Sequence, residues 1–342
     1  MVNSVALPGP GAKKSVAADF DLETGINNLR RKKNAVILAH YYQDYELQDI
    51  ADFVGDSLDL SRKAADTEAD VIVFCGVRFM GEVAKIVNPK RTVLLPDADA
   101  GCSLEEVCQA DDFKSWREAH PGHVSLTYIN CSAEVKALSD IIVTSSNAEA
   151  IINNLPKDKP ILFAPDKHLG NFLINKTGRE MVLWPGSCIV HEEFSEELLL
   201  QMKIEHKGVP VAAHPECPEA ILSLADYVGS TKGILNFVSS ENSNSFIIAT
   251  EPHIIHQMQK NNPSKTFIAA KGVSESREAE TCPCTHCPYM ALNSMEKLYL
   301  ALANNAPRIE IDENLRLRAL KPIERMLEMS PKATGPTSHA AE

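Results

Sequence analysis

The stretch TCPCTHCPYM, residues 281–290, sets Cys282, Cys284 and Cys287 within six positions and holds three of the chain's nine cysteines. Thiolates gathered this way bind zinc or iron–sulfur clusters, or pair under oxidation. One reading is a zinc-binding or redox-sensing module on Cys282, Cys284, His286 and Cys287. Its spacing is poor, because tetrahedral zinc sites pair two separated C-x2-C or H-x3-H halves and the second half is missing here. A C-x-C disulfide would also close a small, strained ring. The other reading is that one of the three joins cysteines distant in sequence.

An internal repeat supplies such cysteines. The segments AVILAHYYQDYELQDIADFVGDSLDLS, VSLTYINCSAEVKALSDIIVTSSNAEA and VPVAAHPECPEAILSLADYVGSTKGIL overlay as strand, polar residue, helix, apolar run, hydroxyl residue. The polar residue is His40, Asn130 or His214, at separations of 90 and 84; the hydroxyl is Ser57, Ser145 or Ser230, at separations of 88 and 85. Further along, Cys102 follows VLLPDADAG and Cys188 follows VLWPGS, 86 residues apart. Cys287 lies 99 beyond Cys188, so the third copy carries about 13 extra residues around KGVSESREAETCPC.

The elements that must position these residues read as short apolar runs, partly β-branched: VIVF, VLLP, ILFA, MVLW, FIIA and FIAA. Between them lie segments with helical spacing, such as RFMGEVAKIVN and KHLGNFLIN. Strands alternating with helices predict an α/β fold with parallel sheets. Open sheets of this kind bind ligands at the carboxyl ends of their strands. Three units with those ends facing one another would gather three cysteines, three hydroxyls and two histidines around one axis.

This reading divides the chain into α/β repeats over 21–110, 111–191 and 192–304, the last with an insertion near 271–286. A C-terminal helical segment over 305–330 and solvated ends over 1–20 and 331–342 complete it. No apolar run approaches the roughly 18 residues that span a bilayer. A formal charge of -12 opposes nucleic-acid binding. The N-terminus shows no signal-peptide pattern, so the cysteines read as intracellular thiols or ligands, with the cytosol as the default compartment. A nicotinamide dehydrogenase is disfavoured because no G-x-G-x-x-G follows the first strand.

With these motifs in order, the chain resembles the quinolinate synthase family, iron–sulfur enzymes of de novo NAD biosynthesis. The likeness runs from about residue 25 to 325 and rests on AHYYQ, FCGVRFMGEVAKI, LLPDADAGCS, TYINCSAEVKA, VTSSNA, LFAPDKHLG, LWPGSCIVHEEF, HPECP, GSTKG and CPYMALN. It implies a triangular protein of three pseudo-threefold-related α/β domains around a central active site. Cys102, Cys188 and Cys287 would ligate one [4Fe–4S] cluster per chain, with one iron open as a Lewis acid toward substrate oxygens. The family condenses iminoaspartate with dihydroxyacetone phosphate, and an L-aspartate oxidase is the implied source of iminoaspartate.

By the same resemblance, His40, Tyr42, Tyr128, Asn130, His191, His214 and Glu216 line the cavity. Ser57, Ser145, Ser230 and Thr231 bind phosphate and carboxylates at helix starts, where hydroxyls and free N–H groups favour anions. Glu216 is the first choice for acid/base work, with His40 and Tyr42 on the triose side; His214 and Tyr128 complete the candidate catalytic set. Structural alternatives attach to several residues. Ser57, Ser145 and Glu216 could be helix caps, and Cys75, Cys108, Cys131 and Cys217 read as buried inert thiols. Some family members carry C-x2-C-x2-C where this chain has C-x-C-x2-C, so a redox pairing of the upstream cysteines is not carried over.

Overall fold

The computed structural model describes residues 5–9, 12–273 and 285–330. After a short β1 (Val5–Ala6), β2 (Ala35–His40), β3 (Phe53–Gly55), β4 (Val71–Cys75) and β5 (Thr92–Leu94) form the first repeat. The second holds β6 (Val124–Tyr128), β7 (Ile141–Val143), β8 (Ile161–Ala164) and β9 (Met181–Leu183). The third holds β10 (Val211–Ala213), β11 (Tyr227–Val228), β12 (Ser245–Ala249) and β13 (Thr266–Ala269), and β14 (Arg308–Ile309) follows.

Each repeat makes its own sheet, in the orders β3-β2-β4-β5, β7-β6-β8-β9 and β11-β10-β12-β13. All pairings within these sets are parallel. The protein is thus α/β with several parallel sheets, as the alternation of runs predicts. In β4 every residue is buried, which a central strand covered by helices on both faces requires. The helix after it, Arg78–Val87, buries Phe79, Met80, Val83, Ala84 and Ile86.

The register explains the period of the hydroxyl residues. The ends of β2, β6 and β10 pair as His40 with Gly55, Tyr128 with Val143, and Ala213 with Val228. Ser57, Ser145 and Ser230 each lie two residues beyond those partners. One strand order therefore delivers three equivalent serines to three equivalent strand ends.

Two features depart from the sequence-based expectation. The first sheet continues past β5 into β14 and β1, both antiparallel. Within the end over 1–20 expected to be solvated, some of the described residues are docked: Val5 is buried and pairs with Ile309, and the Asn304 side chain bonds both the N–H and the carbonyl of Lys13. The physical reason is that β14 would otherwise present an unpaired edge, which Val5–Ala6 satisfies. Helix Glu313–Met329 buries Ala319, Ile323 and Met326 in the core shared by the first two repeats. Among the described residues, no helix is long and apolar enough to cross a membrane.

Candidate active site

The carboxyl ends of the strands converge on one cavity of about 670 Å³, open mouth included, lined from all three repeats. Of the candidate residues, His40, Tyr42, Ser57, Cys102, Tyr128, Asn130, Ser145, Cys188, His191, His214, Glu216, Thr231 and Cys287 all line it. Ser230 does not. It is the N-cap of helix Thr231–Ser240, where its hydroxyl accepts the Gly233 N–H at 3.1 Å, so in the third repeat the cavity-facing hydroxyl is the next residue, Thr231. Ser57 is not a cap, because Asp56 accepts the Asp59 N–H and takes that role. Glu216 is not one either: helix Glu219–Leu224 starts at Pro218 without a side-chain cap.

The cysteines occupy matching positions. Cys102 follows β5 and N-caps helix Ser103–Glu106, and Cys188 follows β9 and N-caps helix Ile189–Glu192; neither thiol makes a cap bond. The Ile189 N–H donates to Ser103 Oγ at 3.3 Å, tying the two turns together across repeats. Cys287 follows β13 after a longer connection. Cys282 and Cys284 lie outside the described residues. Burial pushes all three lining thiols up, Cys287 to about 11. Cys102 is raised further by Cys287, and Cys188 by Glu216, Cys102 and Cys287. His286 faces Glu251 and His253 instead, with its ring 4.4 Å from that of His253. Cys287 and His286 thus diverge, which speaks against a zinc knuckle using both. Cys75, Cys108, Cys131 and Cys217 are buried and free, as inert thiols would be.

A hydrogen-bond chain crosses the cavity wall. Tyr128 donates its hydroxyl to Glu216 Oε1 at 2.5 Å, and His191 Nδ1 lies 3.0 Å from Glu216 Oε2. His191 Nε2 is 3.0 Å from Thr250 Oγ1, which lies 2.7 Å from the Tyr42 hydroxyl. Burial pushes the Glu216 carboxyl up, but His214, His191 and the hydrogen bonds from His191 and Tyr128 outweigh it and hold the group well below the usual carboxylate range. The phenols of Tyr42 and Tyr128 are driven well up by burial and by Glu216, and stay protonated. The arrangement is a buried carboxylate flanked by an O–H donor and an imidazole, suited to accepting and passing protons.

Asn130 sits on a turn fixed by Lys136, a fully buried lysine whose Nζ donates to the carbonyls of Ile129 and Cys131. Its own Oδ1 is buried without a partner, as a group held for a ligand would be. Among the described residues, no lysine or arginine lines the cavity. An anion there would be held by hydroxyls, imidazoles and the N–H groups at the start of helix Ser57–Asp66 and helix Thr231–Ser240. The first helix start is tied to the other two: Ser146 Oγ donates to Asp56 Oδ2 at 2.5 Å, and Lys232 Nζ donates to both Asp59 oxygens at 2.9 Å.

Sequence reasoning missed Thr250, Glu251 and Asp166, which follow β12 and β8. Asp166 Oδ2 accepts the Cys188 N–H at 3.0 Å and so holds a cavity cysteine in place. The available signal was the rule applied to the first strand of each repeat, since β12 and β8 end at the same rim.

Fold and site together define an α/β protein whose three sheets share one cavity lined by thiols, imidazoles and a buried carboxylate. A family profile described as Quinolinate synthetase A protein matches residues 24–328. The "Quinolinate synthase" of Thermosynechococcus vestitus is 56% identical over 311 residues, 91% of this chain and 96% of that protein. The one from Microcystis aeruginosa is 55% identical over 310 residues, 91% of this chain and 95% of that protein. The chain belongs to the quinolinate synthetase A family.

Proposed function

We propose that this chain is a quinolinate synthase that condenses iminoaspartate with dihydroxyacetone phosphate, releasing phosphate and water, in de novo NAD biosynthesis. The observation that carries the proposal is the convergence of Cys102, Cys188 and Cys287 with the Tyr128–Glu216–His191 chain in one cavity, in a chain whose relatives bear that name.

Cys102, Cys188 and Cys287 would hold one [4Fe–4S] cluster per chain. The donor set fits, because desolvation raises all three thiols and neighbouring thiols raise Cys102 and Cys188 further, so that they become thiolates only around a positive centre, and thiolates are the usual ligands of such clusters. When bound with one iron free of protein ligands, the cluster supplies Lewis acidity toward hydroxyl and carboxylate oxygens.

The chain's own residues do the remaining work. Ser57, Ser145, Thr231 and Asn130 bind and orient the phosphate and carboxylates. Glu216, held ionised, removes protons and returns them through Tyr128 or His191. Tyr42 and Thr250 extend that route toward His40 on the triose side. The walls formed by Val77, Phe79, Met80 and Val190 keep the cavity poor in water, which strengthens each of these charged contacts. A cytoplasmic setting, which keeps thiols reduced, suits the seven described cysteines, all free. An L-aspartate oxidase would be the upstream supplier of iminoaspartate.

The test is an anaerobic assay for quinolinate with the reconstituted protein, dihydroxyacetone phosphate and freshly generated iminoaspartate. Product that requires both substrates supports the proposal. No product from protein with full iron and sulfide content would overturn it.

A further inference from the structure

Outside the chain of groups just described, Glu251, His253 and His286 bring one carboxylate oxygen and two imidazole nitrogens within 4.8 Å of one another. Glu251 follows β12 and is 1% exposed. Its Oε1 lies 2.7 Å from His253 Nδ1, and its Oε2 accepts the His253 N–H at 2.9 Å. It also accepts the backbone N–H of Cys287. His286, packed edge-on against the His253 ring, has no hydrogen-bond partner among the described residues. Asp44 is close enough to both imidazoles for its negative charge to act on them.

We propose that Glu251, His253 and His286 form a second metal site, for one divalent ion of the zinc class, which shares no ligand with the cysteine centre. Two imidazoles and one carboxylate suit a borderline ion rather than magnesium or calcium, which prefer oxygen ligands throughout. Glu251 Oε1 and His253 Nδ1, now 2.7 Å apart in a hydrogen bond, need only open slightly to stand as two neighbouring ligands. Ligand atoms around tetrahedral zinc, at about 2.0–2.2 Å from the ion, stand roughly 3.3 Å apart, so His286 has only a short distance to close. The ion replaces the proton on His253 Nδ1, which leaves to solvent. Once bound, it ties the segment carrying Cys287 to the end of β12 and leaves a coordination position open.

The experiment uses the iron-loaded protein under anaerobic conditions, dialysed against buffered zinc, with zinc and iron measured together. One zinc per chain beyond the iron is expected. His253→Gln and His286→Gln should each weaken it by about tenfold or more while iron content, the control for folding, stays unchanged. On the unmodified protein, X-ray absorption at the zinc edge should show only nitrogen and oxygen ligands. Sulfur at about 2.3 Å would mean that the loop cysteines hold the ion and would overturn the proposal. So would zinc binding of equal strength in both variants, or none in the unmodified protein.

Discussion

At His40 and His214 the ring nitrogen Nδ1 accepts the backbone N–H two residues on, from Tyr42 at 3.2 Å and from Glu216 at 3.4 Å. These bonds assign Nε2 as the proton-bearing nitrogen of a neutral ring. Burial keeps it neutral, lowering His40 from 6.5 to about 3 and His214 to about 4. The unfolded chain takes up those protons near 6.5, so at lower pH it binds more protons than the folded state. Stability therefore falls as pH drops from about 6.5 toward 4. Denaturant titration of the anaerobic protein at about pH 7 and pH 5.5 should show the loss, and His40→Asn should shrink it. An unchanged slope in the variant would mean that His40 is already charged in the fold. Glu216→Gln keeps the shape and removes the titrating group. Turnover should drop about 10²-fold or more while iron and sulfide stay in place; near-normal turnover would leave Glu216 a binding group only.

The helix starts after β3, β7 and β11 show how one element differs in use between repeats. Register brings Ser57, Ser145 and Ser230 to equivalent places, yet only the first two turn their side chains to the cavity. In the first repeat Asp56 caps the helix and frees Ser57; in the third Ser230 is itself the cap. The three alanine variants should accordingly separate. Ser230→Ala should lower stability by about 1 kcal/mol, read as a lower thermal midpoint, with little change in KM. Ser57→Ala and Ser145→Ala should cost about tenfold or more in kcat/KM, as expected for a lost hydrogen bond to a charged group, with the thermal midpoint nearly unchanged. A reversed pattern would put the anion site on the wrong residues.

For the whole molecule, the cavity exists only because three sheets aim their carboxyl ends at one another. The cluster proposal is therefore tested across repeats. Cys102→Ser, Cys188→Ser and Cys287→Ser should each lose most of the iron and acid-labile sulfide after parallel anaerobic reconstitution, because each repeat contributes one thiolate. Cys282→Ser and Cys284→Ser should keep a full complement. Retention in Cys287→Ser with loss in either of the other two would show that another cysteine of that stretch is the ligand.

Strand runs, the α/β alternation and the repeat period were legible in the sequence, because burial pattern and chain spacing are local properties that a buried parallel strand imposes on its own residues. The period alone aligned His40, Asn130 and His214, and it paired Cys102 with Cys188. It did not show that Val5–Ala6 docks on β14, since that depends on an edge formed by residues 308–309. Nor could it choose between adjacent hydroxyls at Ser230 and Thr231, a matter of one residue's rotation about a helix start. Thr250 was invisible for the same reason: its partner Tyr42 lies 208 residues away, as Glu216 lies 88 from Tyr128. The sequence by itself determined which runs form strands and, for the first strand of each repeat, which polar residue stands at its end. Which side chains touch was decided only by the angles at which three sheets meet, because a hydrogen bond needs its atoms within about 3 Å and no pattern along the chain carries that distance.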